Sequence, residues 1–288
     1  MTSRALVLGG GGPVGIGWEA GMLKGLADDG IYLAEADLIV GTSAGSAVGS
    51  QLALGVSPAE LYDEQLERVE NAGPASGFTL DMEMLVEIGK RWIGGSETTE
   101  AIRAEIGAFA MKAKTHDEQE WTNSFKESLD STEWPEKPIL ITAVDVSSGE
   151  FVTWDSSSGV PLALAIAASC SVPGIVPTVA IDGRRYMDGG VRSVSNADLA
   201  EGYDRVVVIA PSGAADNPFD NSTRRQLEAE AEGLRAGGSQ VEIVMPDAAA
   251  LAASGPNRMD VAFLRPAAEA GLRQAGTVAE RVRAVWKL

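Results

Sequence analysis

The sequence predicts an α/β fold, three layers deep: a mostly parallel central sheet with helices on both faces, and a helical insertion or cap. Two observations carry that expectation. Through residues 4–54 short apolar runs alternate with helical segments, in the order strand, loop, helix, strand, turn, helix. Residues 58–130 then lose all strand signals and read as amphipathic helices, before the strands resume. A chain of 288 residues is long for one domain and short for two. One domain over 1–288 is therefore expected, with the insertion at about 58–134.

In chain order, Arg4–Leu8 reads as a buried strand and Gly9–Gly15 as a glycine loop. Ile16–Asp28 has helical spacing and stops near Gly30. Leu38–Val40 is a second strand, followed by a turn at Ser43 and a helix Ala44–Leu54. Pro135 and Pro138 close the helical segment. Residues 139–144 form a strand, with 150–154 as its hairpin partner, and Leu162–Ser169 is a short helix. Residues 178–187 read as a second hairpin, since Asp182-Gly183 is a type I′ turn signal. Arg205–Ala210 and Val241–Met245 are further strands, separated by a polar loop (211–222) and a helix (223–236). The Ala-rich 247–253 reads as a helical turn or loop, and Met259–Lys287 as helix with a break at Pro266.

Composition removes several function classes. Cys170 is the only cysteine, so neither an internal disulfide nor a thiolate zinc site can form. His116 is the only histidine, which excludes mechanisms that need two. A formal charge of −18 disfavours nucleic acid and anionic lipid as long-range partners, though not a local basic patch. No apolar stretch reaches membrane-span length, and the apolar run Ala5–Leu8 breaks too early for an export signal. The expected compartment is the cytoplasm; transient contact with a membrane or micelle stays open.

Three constellations could carry chemistry. Gly9–Gly15 joins a strand to a helix whose N-terminal N–H groups and dipole suit a phosphate or an oxyanion. Its Gly10–Gly15 part also satisfies the dinucleotide fingerprint. The acidic residue that should close the second strand for a ribose hydroxyl is absent, because Gly41 runs straight into Thr42-Ser43. The second constellation is Gly41-Thr42-Ser43-Ala44-Gly45, the Gly-x-Ser-x-Gly form of a strand-turn-helix that exposes a nucleophile. Gly41 and Gly45 suit an elbow too tight for side chains. The third is the base. His116 lies in a polar, charged stretch and reads as a solvated surface residue. Asp188 follows a short strand and precedes Gly189 and Gly190, which let it approach another backbone closely.

Together these residues resemble the patatin-like phospholipase family. Residues 9–15 resemble its oxyanion loop, 41–45 its nucleophile elbow, and 188–190 its aspartate motif. Residues 142–150 and 168–177 resemble its strand-and-turn and its Ala-Ser-x-x-x-Pro-x-x-x-Pro stretch. The resemblance implies a serine acyl hydrolase, of phospholipase A, lysophospholipase or esterase type, with a Ser43–Asp188 dyad and no histidine. It implies oxyanion donors at Gly10, Gly11 and Gly12, support from Gly41, Gly45, Gly189 and Gly190, and neither metal nor organic cofactor. The substrate would be a lipid or a small ester. The family's loop usually carries Arg or Lys where Val14 stands, which favours a neutral or small ester over an anionic phospholipid. Leu80, Met82, Met84, Leu85, Trp92 and Ile93 are candidates for an acyl pocket or for plain core packing. Two other readings compete: a dinucleotide-binding oxidoreductase using Gly10–Gly15, and a catalytically silent lipid-binding protein.

Overall fold

The computed structural model describes residues 2–71, 99–129, 131 and 133–286. Eight strands form one sheet: β1 (Arg4–Leu8), β2 (Leu38–Gly41), β3 (Ile139–Asp145), β4 (Phe151–Trp154), β5 (Val179–Ile181), β6 (Arg184–Asp188), β7 (Arg205–Ile209) and β8 (Gln240–Val244). β3, β2, β1, β7 and β8 run parallel in that order, while β4, β5 and β6 pair antiparallel at the β3 end.

Alternation along β1 shows why helices cover both faces. Leu6 and Leu8 enter one core beneath α1 (Gly12–Asp28), α2 (Ala44–Ala53) and α9 (Leu264–Trp286). Ala5 and Val7 enter another beneath α7 (Pro218–Ala236). A strand whose two faces are both apolar reads as a continuous apolar run, as this one does. α1 and α9 approach closely at small residues: a Cβ on Gly21 would sit 1.9 Å from the Ala268 carbonyl oxygen.

Within 58–134, α3 (Pro58–Asn71) packs on α1 and α9, α4 (Glu100–Ala110) on β3, and α5 (Glu118–Glu127) on α6 (Leu162–Ser169). Leu80, Met82, Met84, Leu85, Trp92 and Ile93 lie outside the described residues.

Several expected boundaries move, each for a local reason. α1 begins at Gly12 inside the glycine loop, because Pro13 occupies the first turn, where a missing N–H costs nothing. α7 begins at Pro218, five residues earlier than the sequence suggests, with the Asn217 side chain accepting from the Asp220 N–H. Pro266 breaks nothing, because α9 starts at Leu264 and the proline again sits in the first turn. The Ala-rich stretch forms α8 (Ala248–Ala253), capped by Asp247. The β5–β6 hairpin turns at Asp182 (φ 48°) and Gly183 (φ 77°), both in the left-handed region that a type I′ turn requires.

Candidate functional site

The site is built where two strands meet end to end on one edge of β3. Ile141 pairs with both Gly41 of β2 and Trp154 of β4, so β2 and β4 flank β3 on opposite sides. Ala143 pairs with both Val152 of β4 and Asp188 of β6, so β6 shares the β2 side. β2 runs parallel to β3 and ends at Gly41; β6 runs antiparallel and ends at Asp188. Their last residues therefore stop two β3 positions apart, about 7 Å along the strand. Thr142 lies between them. Its hydroxyl donates to Thr42 Oγ1 at 2.9 Å, and a Cβ on Gly189 would come within 2.1 Å of that hydroxyl oxygen.

Beyond β2 the chain turns sharply into α2. Ser43 sits at the turn with φ 52° and ψ −118°, a left-handed backbone that costs a non-glycine residue on the order of 1–3 kcal/mol. Side chains on either side would meet backbone. A Cβ on Gly45 would lie 2.1 Å from the Leu8 carbonyl oxygen, and one on Gly41 would lie 2.6 Å from the Ser46 Cα. Ser43 is 7% exposed and Asp188 4%. The Ser43 side chain lies beside the Asp188 carboxyl and favours its charged form, and the carboxyl accepts from the Gly190 N–H at 2.7 Å. Burial outweighs both neighbours and pushes the Asp188 carboxyl up to about 7.

Three residues of the 168–177 stretch hold both partners, a role the sequence does not spell out. Ser169 Oγ accepts the Ser43 N–H at 3.0 Å, Cys170 Sγ donates to the Ser43 carbonyl at 3.2 Å, and the Ser171 carbonyl accepts the Asp188 N–H at 2.9 Å. Burial, with the nearby Asp188 charge, pushes the Cys170 thiol above its ordinary value, so it stays protonated. Asn196 is a further residue missed. It takes a left-handed backbone (φ 49°), and its Nδ2 donates to Thr42 Oγ1 at 3.0 Å and to the Ser193 carbonyl at 2.6 Å. Only the αL tolerance of Asn hints at it in the sequence.

The glycine loop lies against the elbow: a Cβ on Gly10 would sit 3.3 Å from Ser43 Cβ. Its donors are not equivalent. The Gly10 N–H donates to the Val194 carbonyl at 2.8 Å and is engaged. Among the described residues, no acceptor meets the N–H groups of Gly11 and Gly12, which open α1. Val14 is buried in the core, and its N–H donates to the Arg258 carbonyl at 3.2 Å.

His116 is exposed between α4 and α5. Among the described residues no group of acidic, cysteine and histidine side chains could hold a metal ion, and no helix is long and apolar enough to cross a membrane. One buried carboxyl stands apart from the dyad. Glu19, on α1, is 0% exposed, and neither of its oxygens has a hydrogen-bond partner among the described residues. Burial holds it well above the usual carboxylate range.

A family profile described as patatin-like phospholipase matches residues 6–201. No curated protein matches the sequence. Among solved structures, VipD from Legionella pneumophila is similar at 14% identity and TM-score 0.48, over 98% of this chain and 67% of that one. The type III effector ExoU is similar at 14% identity and TM-score 0.42, over 98% of this chain and 53% of that one. ExoU in its heterodimeric complex with SpcU, from Pseudomonas aeruginosa, is similar at 18% identity and TM-score 0.40, over 98% and 52%. The chain thus spans about half the length of the ExoU chains.

Proposed function

Since the chain belongs to the patatin-like phospholipase family, and so to the lipid acyl hydrolases, we propose that it cleaves carboxylic esters through a dyad of Ser43 and Asp188. The observation that carries this reading is the placement of the Ser43 side chain, on its strained elbow, beside the buried Asp188 carboxyl.

The steps run as acyl transfer through Ser43. Ser43 Oγ attacks the ester carbonyl carbon while its proton passes to Asp188. The carbonyl oxygen becomes an oxyanion, held by the Gly11 and Gly12 N–H groups at the positive end of α1. Asp188 then gives its proton to the departing alkoxide as the C–O bond breaks. That leaves an acyl group on Ser43. Water repeats the sequence: its proton goes to Asp188, its oxygen adds to the acyl carbon, and the proton returns to Ser43 Oγ as the acid leaves. A carboxyl that titrates near 7 suits both directions of this exchange better than an ordinary aspartate.

The substrate is a neutral ester or a lysophospholipid rather than an anionic phospholipid. The buried, apolar Val14 in the loop and the formal charge of −18 support this preference. Hydrolysis rates across short neutral esters, lysophospholipids and anionic phospholipids test it, and fastest turnover of the last group overturns it. A dinucleotide role for Gly10–Gly15 has no support beyond the fingerprint: the chain leaves β2 through Thr42 and Ser43, with no acid to hold a ribose.

The dyad itself is tested by labelling with a fluorophosphonate probe. Wild type is expected to react, and Ser43→Ala and Asp188→Asn are not. Absence of labelling in folded wild-type protein sinks the reading and leaves a silent lipid-binding protein.

A further inference from the structure

A cavity of about 580 Å³ opens between α4, α7 and the segment that follows β6. Neither Ser43, Asp188 nor the glycine loop lines it. Three guanidinium groups from three separate elements do: Arg103 from α4, Arg192 from the turn just past Asp188, and Arg225 from α7. Burial holds the Arg103 guanidinium below its ordinary value; Glu100 opposes that, and the neighbouring Arg192 charge adds to it. Like charges on one cavity wall are unfavourable unless an anion lies between them.

The acids present cancel Arg192 but not Arg225, while Arg103 Nε donates to the Gly149 carbonyl at 2.6 Å. Asp198 turns both its oxygens to Arg192, at 2.9 and 2.6 Å. Glu230 accepts from Ser195 Oγ and the Ala197 N–H, and burial raises its carboxyl above the usual range. Glu201 stands exposed at the rim. Arg225 has no ion pair or hydrogen bond among the described residues, in a chain of 41 acidic and 23 basic residues. Arg225 is exposed, and it lines the same cavity as Arg103 and Arg192.

We propose that this cavity is a binding site for a phosphate-bearing anion. Guanidinium forks keep their charge and match phosphate oxygens two at a time, and Arg225 offers a whole fork beside Arg103 and Arg192. The wall also leads to the dyad. Arg192 Nη1 donates to Asn196 Oδ1 at 2.8 Å, and Asn196 Nδ2 donates to Thr42, next to Ser43. The Val194 carbonyl, in the same segment, engages the Gly10 N–H. An anion that competes with Asp198 and Asn196 for Arg192 therefore bears on elbow and glycine loop together, and alters ester turnover. That consequence rests on Ser43 being the nucleophile; the binding does not.

The test is calorimetric titration of the full chain carrying Ser43→Ala with inorganic pyrophosphate, beside sedimentation with vesicles of phosphatidic acid in phosphatidylcholine. Ser43→Ala removes hydrolysis from the measurement. Expected is one pyrophosphate per chain, weakened at least tenfold by adding Arg225→Ala, less by Arg225→Lys, and unchanged by Arg273→Ala on α9. Loss of vesicle binding in Arg225→Ala identifies a lipid headgroup as the source; binding of pyrophosphate alone identifies a free phosphate compound. Binding of neither probe, or binding that Arg225→Ala leaves intact, overturns the proposal.

Discussion

Asp188→Asn separates the two consequences of burying a carboxylate beside a serine. The substitution keeps the size of the side chain and an oxygen to accept the Gly190 N–H. It removes the charge and the ability to take a proton. The folded carboxyl titrates near 7 against an ordinary 3.8, about three pKa units, and each unit is worth about 1.4 kcal/mol. Because the folded value lies above the unfolded one, the native state binds an extra proton between them. Its stabilising contribution is present below about pH 4 and is lost as pH rises toward 7, a change of up to about 4 kcal/mol. Urea denaturation followed by tryptophan fluorescence measures it. The stability of Asp188→Asn minus that of wild type is expected to climb through this range and level off above about pH 7, since every other titrating group is shared. Over the same range wild-type ester hydrolysis is expected to rise with pH, and the variant to lose about 10²–10⁴-fold in kcat. A stability difference that stays flat with pH would refute the assignment of Asp188 as a carboxyl held neutral by burial.

Other substitutions probe the surrounding frame. Ser43→Gly is expected to raise stability by about 1 kcal/mol by relieving the left-handed backbone at φ 52°, while Ser43→Ala brings no such gain; both abolish probe labelling. Gly45→Ala drives a methyl group into the Leu8 carbonyl and is expected to cost about 3 kcal/mol or more in denaturant titration, with loss of hydrolysis. Glu19→Leu removes a buried carboxyl that has no hydrogen-bond partner among the described residues; its stability gain over wild type is expected to grow with pH, being smallest in acid, where Glu19 is protonated in both states. His116→Ala is expected to leave the ester hydrolysis rate and its pH dependence unchanged, and a collapse of rate in this variant would return a histidine to the mechanism.

Much of this frame is legible in the sequence, because it rests on local rules. The strands at residues 4–8, 139–144 and 205–210 are apolar on both faces, and the Asp182-Gly183 pair specifies its own turn. The elbow is legible for the same reason: only small residues fit where Gly41 and Gly45 meet Ser46 and Leu8 within a few residues or across one strand pair. The helix starts at Gly12 and Pro218 lie ahead of those the sequence suggests, and Pro266 makes no break, because prolines read as breaks in a one-dimensional scan, whereas in a first turn they are favourable.

The meeting of Ser43 and Asp188 is of another kind. No periodicity or spacing joins residue 43 to residue 188. What joins them is register: β3 is longer than either β2 or the paired part of β6, so its one edge accommodates both, running in opposite directions. The gap at Thr142 is closed by two hydrogen bonds to Thr42 Oγ1, from the Thr142 hydroxyl and from the Asn196 amide, and the backbones of both ends are tied to Ser169–Ser171. Each of these groups is an ordinary polar residue in its own stretch of sequence and acquires a role only from its partner. A one-residue slip of β6 on β3 would turn Asp188 to the opposite face of the sheet. The glycine at 189, which lets the chain pass within contact of Thr142, is therefore as much a condition of the pairing as the aspartate is.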